Sequence, residues 1–193
     1  MLGLKLPTDP RWVDIVETNI SEILTDHAYC EQKATSNAIY LIVNFPEYTD
    51  LVTDMIKLAQ EELSHFEMVH EIIKARGFKL GRERKDEYAG ELYSFMRKGH
   101  QRRIVLIDRL LFSALIEARS CERFKMLSEK IKDEELSKFY YELMVSEATH
   151  YTTFINYARQ YAEGEDVDKR WQEFLEFEAS IMNRYSKKET MHG

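Results

Sequence analysis

Two short stretches, Glu62-Leu-Ser-His65 and Glu147-Ala-Thr-His150, have the same form, Glu-x-x-His, and each lies within a long helical pattern. A single glutamate precedes each stretch by about one helix length: Glu31 lies 31 residues before the first glutamate, and Glu117 lies 30 residues before the second. Four carboxylates and two imidazoles in this order match the ligand set of a carboxylate-bridged di-iron site in a four-helix bundle. The two stretches therefore predict both a fold and a reaction class, oxygen activation by iron.

The apolar residues around these stretches recur in alternating steps of four and three, which is the spacing of helices packed in a bundle. In two of the helices a glutamate and a histidine occupy consecutive positions of the apolar stripe, and each of the other two stripes carries a glutamate. In chain order the stripes are Ile20, Leu24, His27, Glu31, Ala34, Ala38 and Leu41; Leu51, Met55, Leu58, Glu62, His65, Val69 and Ile72; Ile107, Leu110, Ala114, Glu117, Cys121 and Phe124; and Leu136, Tyr140, Leu143, Glu147, His150, Phe154 and Tyr157.

Carboxylates on an apolar stripe need a partner of opposite charge. Four of them in one layer would repel one another and lose their hydration. Two divalent ions offset that charge, and oxygen and imidazole ligands suit iron or manganese. A single Glu-x-x-His is usually a surface pair, but two copies on apolar stripes favour a dinuclear metal site. The predicted metal ligands are Glu31, Glu62, His65, Glu117, Glu147 and His150.

Capping and breaking signals predict five long helices. Their predicted ranges are about 10–43 after Asp9, 46–76 from Pro46 to Gly77, 101–131, a helix capped by Asp133 that ends before Gly164, and 168–185. A short helix is predicted within 87–97. Tight connections predict two antiparallel pairs, and the long connection between the pairs is typical of ferritin-like proteins. The predicted fold class is an all-α, ferritin-like four-helix bundle with one long crossover (77–100) and an additional C-terminal helix. It forms a single domain over 1–193 with a flexible tail at 186–193.

Composition limits the remaining choices. A chain of 193 residues with 44% hydrophobic and 32% charged residues suits one domain with a sizeable core. Its two cysteines, Cys30 and Cys121, lack the spacing of a zinc finger and are too few for a disulfide scaffold, which predicts a reducing, cytoplasmic environment. No stretch approaches 18 apolar residues and the N-terminus has no signal-peptide core, so no membrane association is expected.

The stretch 76–103 differs in charge from the rest of the chain. It contains nine Lys or Arg residues and four acidic residues, so its formal charge is +5 in a chain of net charge -7. Phe78, Tyr88, Tyr93 and Phe95 are interleaved with these charges. Such a segment can hold phosphates and stack bases, although composition alone favours a solvated crossover. We refer to residues 76–103 as the basic connector.

Four other polar residues carry weaker predictions. His27 lies one turn before Glu31 and can orient that ligand, add a ligand or be a satisfied core histidine, of which the last is favoured. Glu61 and Glu122 lie one position off the stripes, so both are predicted to face solvent. Cys121 is predicted to be a small core residue.

The chain resembles the family of tRNA hydroxylases that act on 2-methylthio-isopentenyladenosine beside the anticodon. The resemblance covers nearly the whole chain and shows no departure at the six ligand positions. It rests on four stretches: His27-Ala-Tyr-Cys-Glu31-Gln-Lys-Ala34, Glu61-Glu62-Leu-Ser-His65-Phe, Leu115-Ile-Glu117-Ala-Arg-Ser-Cys121-Glu-Arg-Phe124 and Ser146-Glu147-Ala-Thr-His150-Tyr.

The resemblance implies a non-haem di-iron monooxygenase that hydroxylates the isopentenyl group of the modified adenosine, with O2 as co-substrate. Glu31, Glu62 and His65 would hold one iron and Glu117, Glu147 and His150 the other, with Glu62 and Glu147 as bridges. The sequence contains no flavin or NAD fingerprint, so electrons are expected from a separate reductase. The basic connector would hold the anticodon arm of tRNA through Arg82, Arg84, Lys85, Arg97, Lys98, Arg102 and Arg103.

Two other functions remain open at this point. The first is an iron oxidase or peroxide-reducing protein of the ferritin and rubrerythrin kind, although the Cys-rich iron module of rubrerythrins is absent from this sequence. The second is a metal-free helical bundle that binds a partner through its basic connector.

Overall fold

The computed structural model describes residues 2–182, 184 and 190–191, and these residues form seven α-helices and no β-strand. The helices are α1 (Trp12–Thr18), α2 (Ile20–Asn44), α3 (Thr49–Ala75), α4 (Glu87–Ser94), α5 (Arg102–Lys130), α6 (Glu134–Gln160) and α7 (Val167–Met182). None of the described helices is long and apolar enough to span a membrane.

The chain divides into two compact units. One unit is Thr18–Lys85 with residues 190–191, and its long helices α2 and α3 pack against each other. The other comprises, of the described residues, 2–17, 86–182 and 184, and its long helices α5 and α6 form the larger packed pair. We call these the α2/α3 unit and the α5/α6 unit. A single domain over 1–193 stays a prediction.

The first predicted helix is interrupted, so the prediction of one helix over 10–43 was wrong. Asn19 adopts φ -134° and ψ 37° between α1 and α2, and its carbonyl accepts hydrogen bonds from the N–H groups of Glu22 and Ile23 at 3.0 Å. Asparagine is a poor residue for a helix interior because its side chain competes for backbone hydrogen bonds. The break coincides with the boundary between the two units.

The second predicted helix begins three residues later than predicted, at Thr49 instead of Pro46. The Tyr48 N–H donates to the Phe45 carbonyl at 3.2 Å, so these residues form a turn with Pro46 in its second position. The fixed φ of proline suits that position of a turn as well as it suits the start of a helix. The sequence signal was therefore compatible with both structures.

The C-terminus of α3 agrees with its prediction. Gly77 has φ +71°, its N–H donates to the Lys74 carbonyl at 2.9 Å, and the Phe78 N–H donates to the Ile73 carbonyl at 3.0 Å. These two bonds define a Schellman motif, which satisfies the last carbonyls of the helix. The left-handed conformation that it requires is easily adopted only by glycine.

The caps in the α5/α6 unit also agree with the sequence. Asp133 accepts a hydrogen bond from the Leu136 N–H at 3.0 Å and caps α6, while Asp86 accepts one from the Ala89 N–H at 2.8 Å and caps α4. Every residue of the predicted stripes on α5 and α6 is buried. This regular burial places Glu117, Glu147 and His150 in the interior of the unit.

The predicted flexible tail, 186–193, lies outside the described residues except for Thr190 and Met191. Met191 is buried, and its backbone N–H donates to Asp26 Oδ2 at 2.6 Å.

Candidate metal centre

The α2/α3 unit brings together three of the predicted ligands, Glu31 on α2 and Glu62 and His65 on α3. Each offers one ligand atom within 4.8 Å of the others, and all three residues are buried. His65 Nδ1 lies 3.3 Å from Glu62 Oε2 and 3.6 Å from Glu31 Oε2. The Glu-x-x-His spacing places its two side chains on one face of the helix, where they point at the same space. We call this group the α2/α3 cluster.

His27 holds one ligand of this cluster. Its Nε2 makes a hydrogen bond of 2.6 Å with Glu31 Oε1, and its ring is fully buried. A histidine on one carboxylate oxygen leaves the other oxygen for a metal and fixes the orientation of the group. Of the three roles that the sequence left open for His27, this bond supports the orientation of a ligand.

The charges inside the α2/α3 cluster stabilise one another. Burial by itself would raise the pKa of Glu31, but hydrogen bonds from His27 and His65 hold that pKa well below its ordinary value. Burial would likewise lower the pKa of His65, but the hydrogen bonds and charges of Glu31 and Glu62 raise it to about 9. The raised pKa of His65 favours its protonated form beside these two carboxylates, and a divalent ion would have to compete with that proton.

The α5/α6 unit repeats the arrangement. Glu117 on α5 and Glu147 and His150 on α6 each offer a ligand atom within 4.8 Å of the others, and all three are buried. His150 Nδ1 lies 3.8 Å from Glu147 Oε2, and His150 Nε2 lies 3.5 Å from Ser146 Oγ. We call this group the α5/α6 cluster.

Both clusters fit a metal ion by their chemistry. Each offers two carboxylates and one imidazole, the mixed oxygen and nitrogen donors that iron and manganese accept. Two buried carboxylates close together are costly unless a cation compensates them. The structure thus gives each predicted ligand triad the composition, spacing and burial of a metal site.

One predicted surface residue lies in a structural ion network instead. Glu122 accepts hydrogen bonds from the Thr8 N–H at 2.9 Å, from Thr8 Oγ1 at 2.7 Å and from Arg119 Nη1 at 3.0 Å. The prediction that Glu122 faces solvent was therefore wrong, because the N-terminal segment folds over it. Glu61 is exposed, as predicted.

The sequence reasoning missed the centre of this network. Arg119 and Glu178 are both fully buried, and Arg119 Nη2 donates to Glu178 Oε1 at 2.5 Å. The Tyr88 hydroxyl donates to the same carboxylate oxygen at 3.1 Å. Arg123 lies over the Trp12 ring, with its guanidinium carbon 4.7 Å from the ring centroid. Both arginines belong to a stretch that carries the family resemblance. Arg119 joins α5 to α7 directly and to α4 through Glu178, and Arg119 and Arg123 both contact the N-terminal segment.

The residues of the basic connector have different surroundings. Arg97 makes ion pairs of 2.9 Å with Asp108 and with Glu165. Arg103 pairs with Glu163 at 3.2 Å and also donates to the carbonyls of Tyr161 and Ala162. These two arginines therefore have internal partners. Arg84 lies 3.7 Å from Glu22, and the exposed cations of the connector are Lys79, Arg82, Lys85, Lys98 and Arg102.

Long helices that carry two buried Glu-x-x-His clusters are typical of the ferritin-like fold class, in which such clusters can hold metal ions. A comparison with solved structures agrees. The structure matches that of "Protein 43 with aldehyde deformylating oxygenase activity from Synechococcus" with a TM-score of 0.91 and 32% sequence identity, covering 98% of this chain and 95% of the other. The predicted fold class, an all-α, ferritin-like fold, is confirmed.

Sequence comparisons identify the family. The family model described as tRNA-(MS2IO6A)-hydroxylase (MiaE) matches residues 2–193. A tRNA 2-(methylsulfanyl)-N(6)-isopentenyladenosine(37) hydroxylase from Pseudomonas putida is 39% identical over 164 residues, covering 85% of this chain and 78% of the relative. A hydroxylase of the same name from Salmonella typhimurium is 29% identical over 228 aligned residues, covering 93% of this chain and 83% of the relative. The chain belongs to the MiaE family of tRNA hydroxylases.

Proposed function

We propose that this chain hydroxylates the isopentenyl group of 2-methylthio-isopentenyladenosine in tRNA, as a non-haem di-iron monooxygenase. The observation that carries the proposal is the match of the hydroxylase family model over residues 2–193, in a chain with two buried Glu-x-x-His clusters. The names of the Pseudomonas and Salmonella relatives support the same substrate.

The two clusters supply the ligands in this proposal. Glu31, Glu62 and His65 would hold one iron, and Glu117, Glu147 and His150 would hold the other. The iron supplies the oxidising chemistry when bound, using O2 and two external electrons. The burial of all six residues supports this assignment, because a water-excluded site protects a reactive oxidant from side reactions.

Other residues of the chain orient a predicted ligand or bind the tRNA substrate. His27 fixes the rotamer of Glu31 through its 2.6 Å hydrogen bond. Exposed cations of the basic connector attract the phosphates of the tRNA substrate. Electrons come from a separate reductase in the cytoplasm, because the sequence carries no flavin or NAD motif.

An iron oxidase or peroxide-reducing activity is the second candidate, since the same ligand clusters serve both chemistries. The oxygenase activity stated for the Synechococcus structure and the hydroxylase names of the relatives favour the monooxygenase. A metal-free bundle is disfavoured by the buried carboxylates of the two clusters, which need a cation.

The test is turnover with tRNA. The chain is loaded with Fe(II), supplied with O2, a reductant and tRNA that carries the modified adenosine, and the nucleosides are then analysed by mass spectrometry. We expect the modified adenosine to gain one oxygen atom, and we expect the Glu147→Gln variant to form no product. The matched control is Glu142→Gln, which changes an exposed glutamate of the same helix. Iron oxidation without a nucleoside product would refute the proposal and favour the iron oxidase.

A further inference from the structure

We infer that Tyr93, Lys98, Arg109 and Phe112 form a binding site for a single-stranded segment of RNA. The four residues belong to the α5/α6 unit, and we call them the aromatic–cationic patch. Neither Arg109 nor Phe112 belongs to the basic connector. The inference deepens the proposed function, on which it rests, by stating where the chain contacts the loop of its tRNA substrate.

The geometry of the patch combines rings and cations. Tyr93 is 44% exposed, although it is a large aromatic residue. Lys98 Nζ lies 5.2 Å from the centroid of its ring, and the guanidinium carbon of Arg109 lies 5.5 Å from the same centroid. The ring of Phe112 meets that of Tyr93 edge to face, with 6.1 Å between centroids, and Arg109 also lies 5.5 Å from Phe112. Arg109 therefore contacts both rings.

The elements that carry the patch are held in place. Asp86 caps the start of α4, and Tyr88 in the first turn of that helix bonds Glu178 through its hydroxyl. Leu92, the neighbour of Tyr93, is fully buried. Rings on a fixed helix lose little conformational entropy when they bind a ligand, which suits a recognition site.

The patch carries positive charge. The stretch 93–112 contains five Lys or Arg residues and one acidic residue, Asp108. Arg97 and Arg103 pair with acidic side chains, so the positive charge of the patch itself comes from Lys98 and Arg109. The Asp108 carboxylate is buried and accepts hydrogen bonds from Arg97 and Arg170. Its negative charge is therefore compensated internally. Lys98 and Arg109 give the patch a charge of the sign that complements a phosphate backbone.

The cations also extend along one helix. On α5, Arg102, Val105, Arg109 and Phe112 follow steps of three, four and three, which place them on one face. Arg102 and Arg109 are two helical turns apart, or about 10 Å along the axis. A row of cations of this length can follow a nucleic-acid strand across more than one phosphate.

These features select unpaired RNA over a duplex. Aromatic rings and guanidinium planes stack on exposed bases, whereas the bases of a duplex are stacked on one another. Lysine and arginine at the same place neutralise the adjacent phosphates. An acidic protein surface, such as that of a reductase, would use the cations but would leave the exposed tyrosine ring without a function.

The experiment measures binding and turnover separately. The variants are Tyr93→Ala and Arg109→Gln, and the matched controls are Tyr141→Ala, at an exposed tyrosine of α6, and Arg159→Gln, at an exposed arginine of α6. The probe is a labelled RNA hairpin with the sequence of the anticodon arm, titrated at several salt concentrations.

We expect about a tenfold loss of affinity for Tyr93→Ala. For Arg109→Gln we expect weaker binding. The plot of the logarithm of the binding constant against the logarithm of the salt concentration should also be shallower, by about one unit of slope. Both controls should bind the hairpin like the original chain.

Turnover then separates this inference from the proposed function. With tRNA as substrate, Tyr93→Ala should raise KM and leave kcat unchanged, and its iron content should equal that of the original chain. Hairpin binding is measured without turnover, so a chain that binds the hairpin through the patch but makes no product would overturn only the proposed function. Equal hairpin affinity in both variants and both controls would overturn the inference. Equal affinity together with a loss of reductase-driven turnover would assign the patch to the reductase instead.

Discussion

At the scale of single residues, the two buried histidines of the α2/α3 unit have different tasks. His65 belongs to the α2/α3 cluster, and His27 bonds the carboxylate of Glu31. The sequence places both on apolar stripes and cannot separate these roles. The 2.6 Å contact of His27 separates them, because a nitrogen at that distance from Glu31 Oε1 holds the ligand in one rotamer.

Replacing His27 tests its role in orienting the ligand. We expect His27→Ala to lower the affinity for Fe(II) by about 10- to 100-fold, since Glu31 loses the group that orients it. Titration of the metal-free chain with Fe(II) under anaerobic conditions measures the effect. The control is His70→Ala, at a half-exposed histidine of α3 that stacks on Phe66. An unchanged affinity in His27→Ala would rule out the orienting role.

The rate at which the Cys121 thiol is alkylated should depend on pH. Burial raises the pKa of its thiol to about 11, and the charges of Glu117 and Glu122 act in the same direction. Only the thiolate reacts with iodoacetamide, so its alkylation should accelerate roughly tenfold per pH unit and continue to rise above pH 9. The Cys30→Ser variant isolates this thiol, and mass spectrometry measures the rate. A rate that levels off below pH 9 would contradict the raised pKa.

At the scale of elements, the Arg119–Glu178 pair joins α5 to α7. Both side chains are fully buried, and Tyr88 of α4 bonds the same carboxylate. Removing one partner of a buried ion pair leaves the other charge without compensation. The Glu178 carboxylate therefore links three helices, α4, α5 and α7.

We expect Glu178→Gln to lower the free energy of unfolding by about 3 kcal/mol. Urea denaturation followed by circular dichroism measures it. Glu176→Gln, at an exposed glutamate two residues earlier, is the matched control and should change stability little. If the two variants have the same stability, the ion pair of Glu178 with Arg119 does not stabilise the packing of α5 against α7.

Replacing Gly77 or Gly90 by alanine should change the stability of the chain in opposite directions. Gly77 ends α3 with φ +71°, so Gly77→Ala should destabilise the chain by about 1 kcal/mol. Gly90 lies inside α4 with open space around it and does not have a positive φ, so Gly90→Ala should stabilise by roughly 0.5–1 kcal/mol. Thermal denaturation of both variants is the test, and shifts of the same sign would refute it.

The helices show what local sequence could predict. The caps at Asp133 and Gly77 and the buried stripes of α5 and α6 followed from short-range rules of spacing and chemistry. The break at Asn19 and the turn at Pro46 did not, because both residues are compatible with more than one local structure. The Arg119–Glu178 pair could not be predicted, since 59 residues separate its members and each resembles an ordinary surface charge of a helix.

At the scale of the whole molecule, charge is distributed unevenly. The basic connector carries +5 in a chain of net charge -7, and six of the acidic and imidazole groups are buried in the two clusters. If both clusters bind iron, the metal stabilises the folded chain, since the unfolded chain does not preserve either cluster.

We therefore expect Fe(II) to raise the melting temperature under anaerobic conditions. A concentration of one hundred times Kd adds about 2.7 kcal/mol to the free energy of unfolding. The shift should disappear with a chelator and should be reduced in the Glu147→Gln variant. Calorimetry measures it, with Glu142→Gln as the control. A melting temperature that is independent of Fe(II) would argue against metal binding by the folded chain.

The sequence by itself determined the helical stripes and the six buried residues that we predict to bind metal, because helix periodicity and the Glu-x-x-His spacing act over only a few residues. It also determined that a basic, aromatic stretch lies between the two helix pairs. Only the tertiary structure decided which charged side chains pair with one another inside the protein. Asp108 and Glu165 bind Arg97, and the N-terminal segment covers Glu122, because packing brought distant residues into contact. The same packing placed Tyr93 beside Arg109 at the surface, where the exposed ring and its cations are available to a ligand.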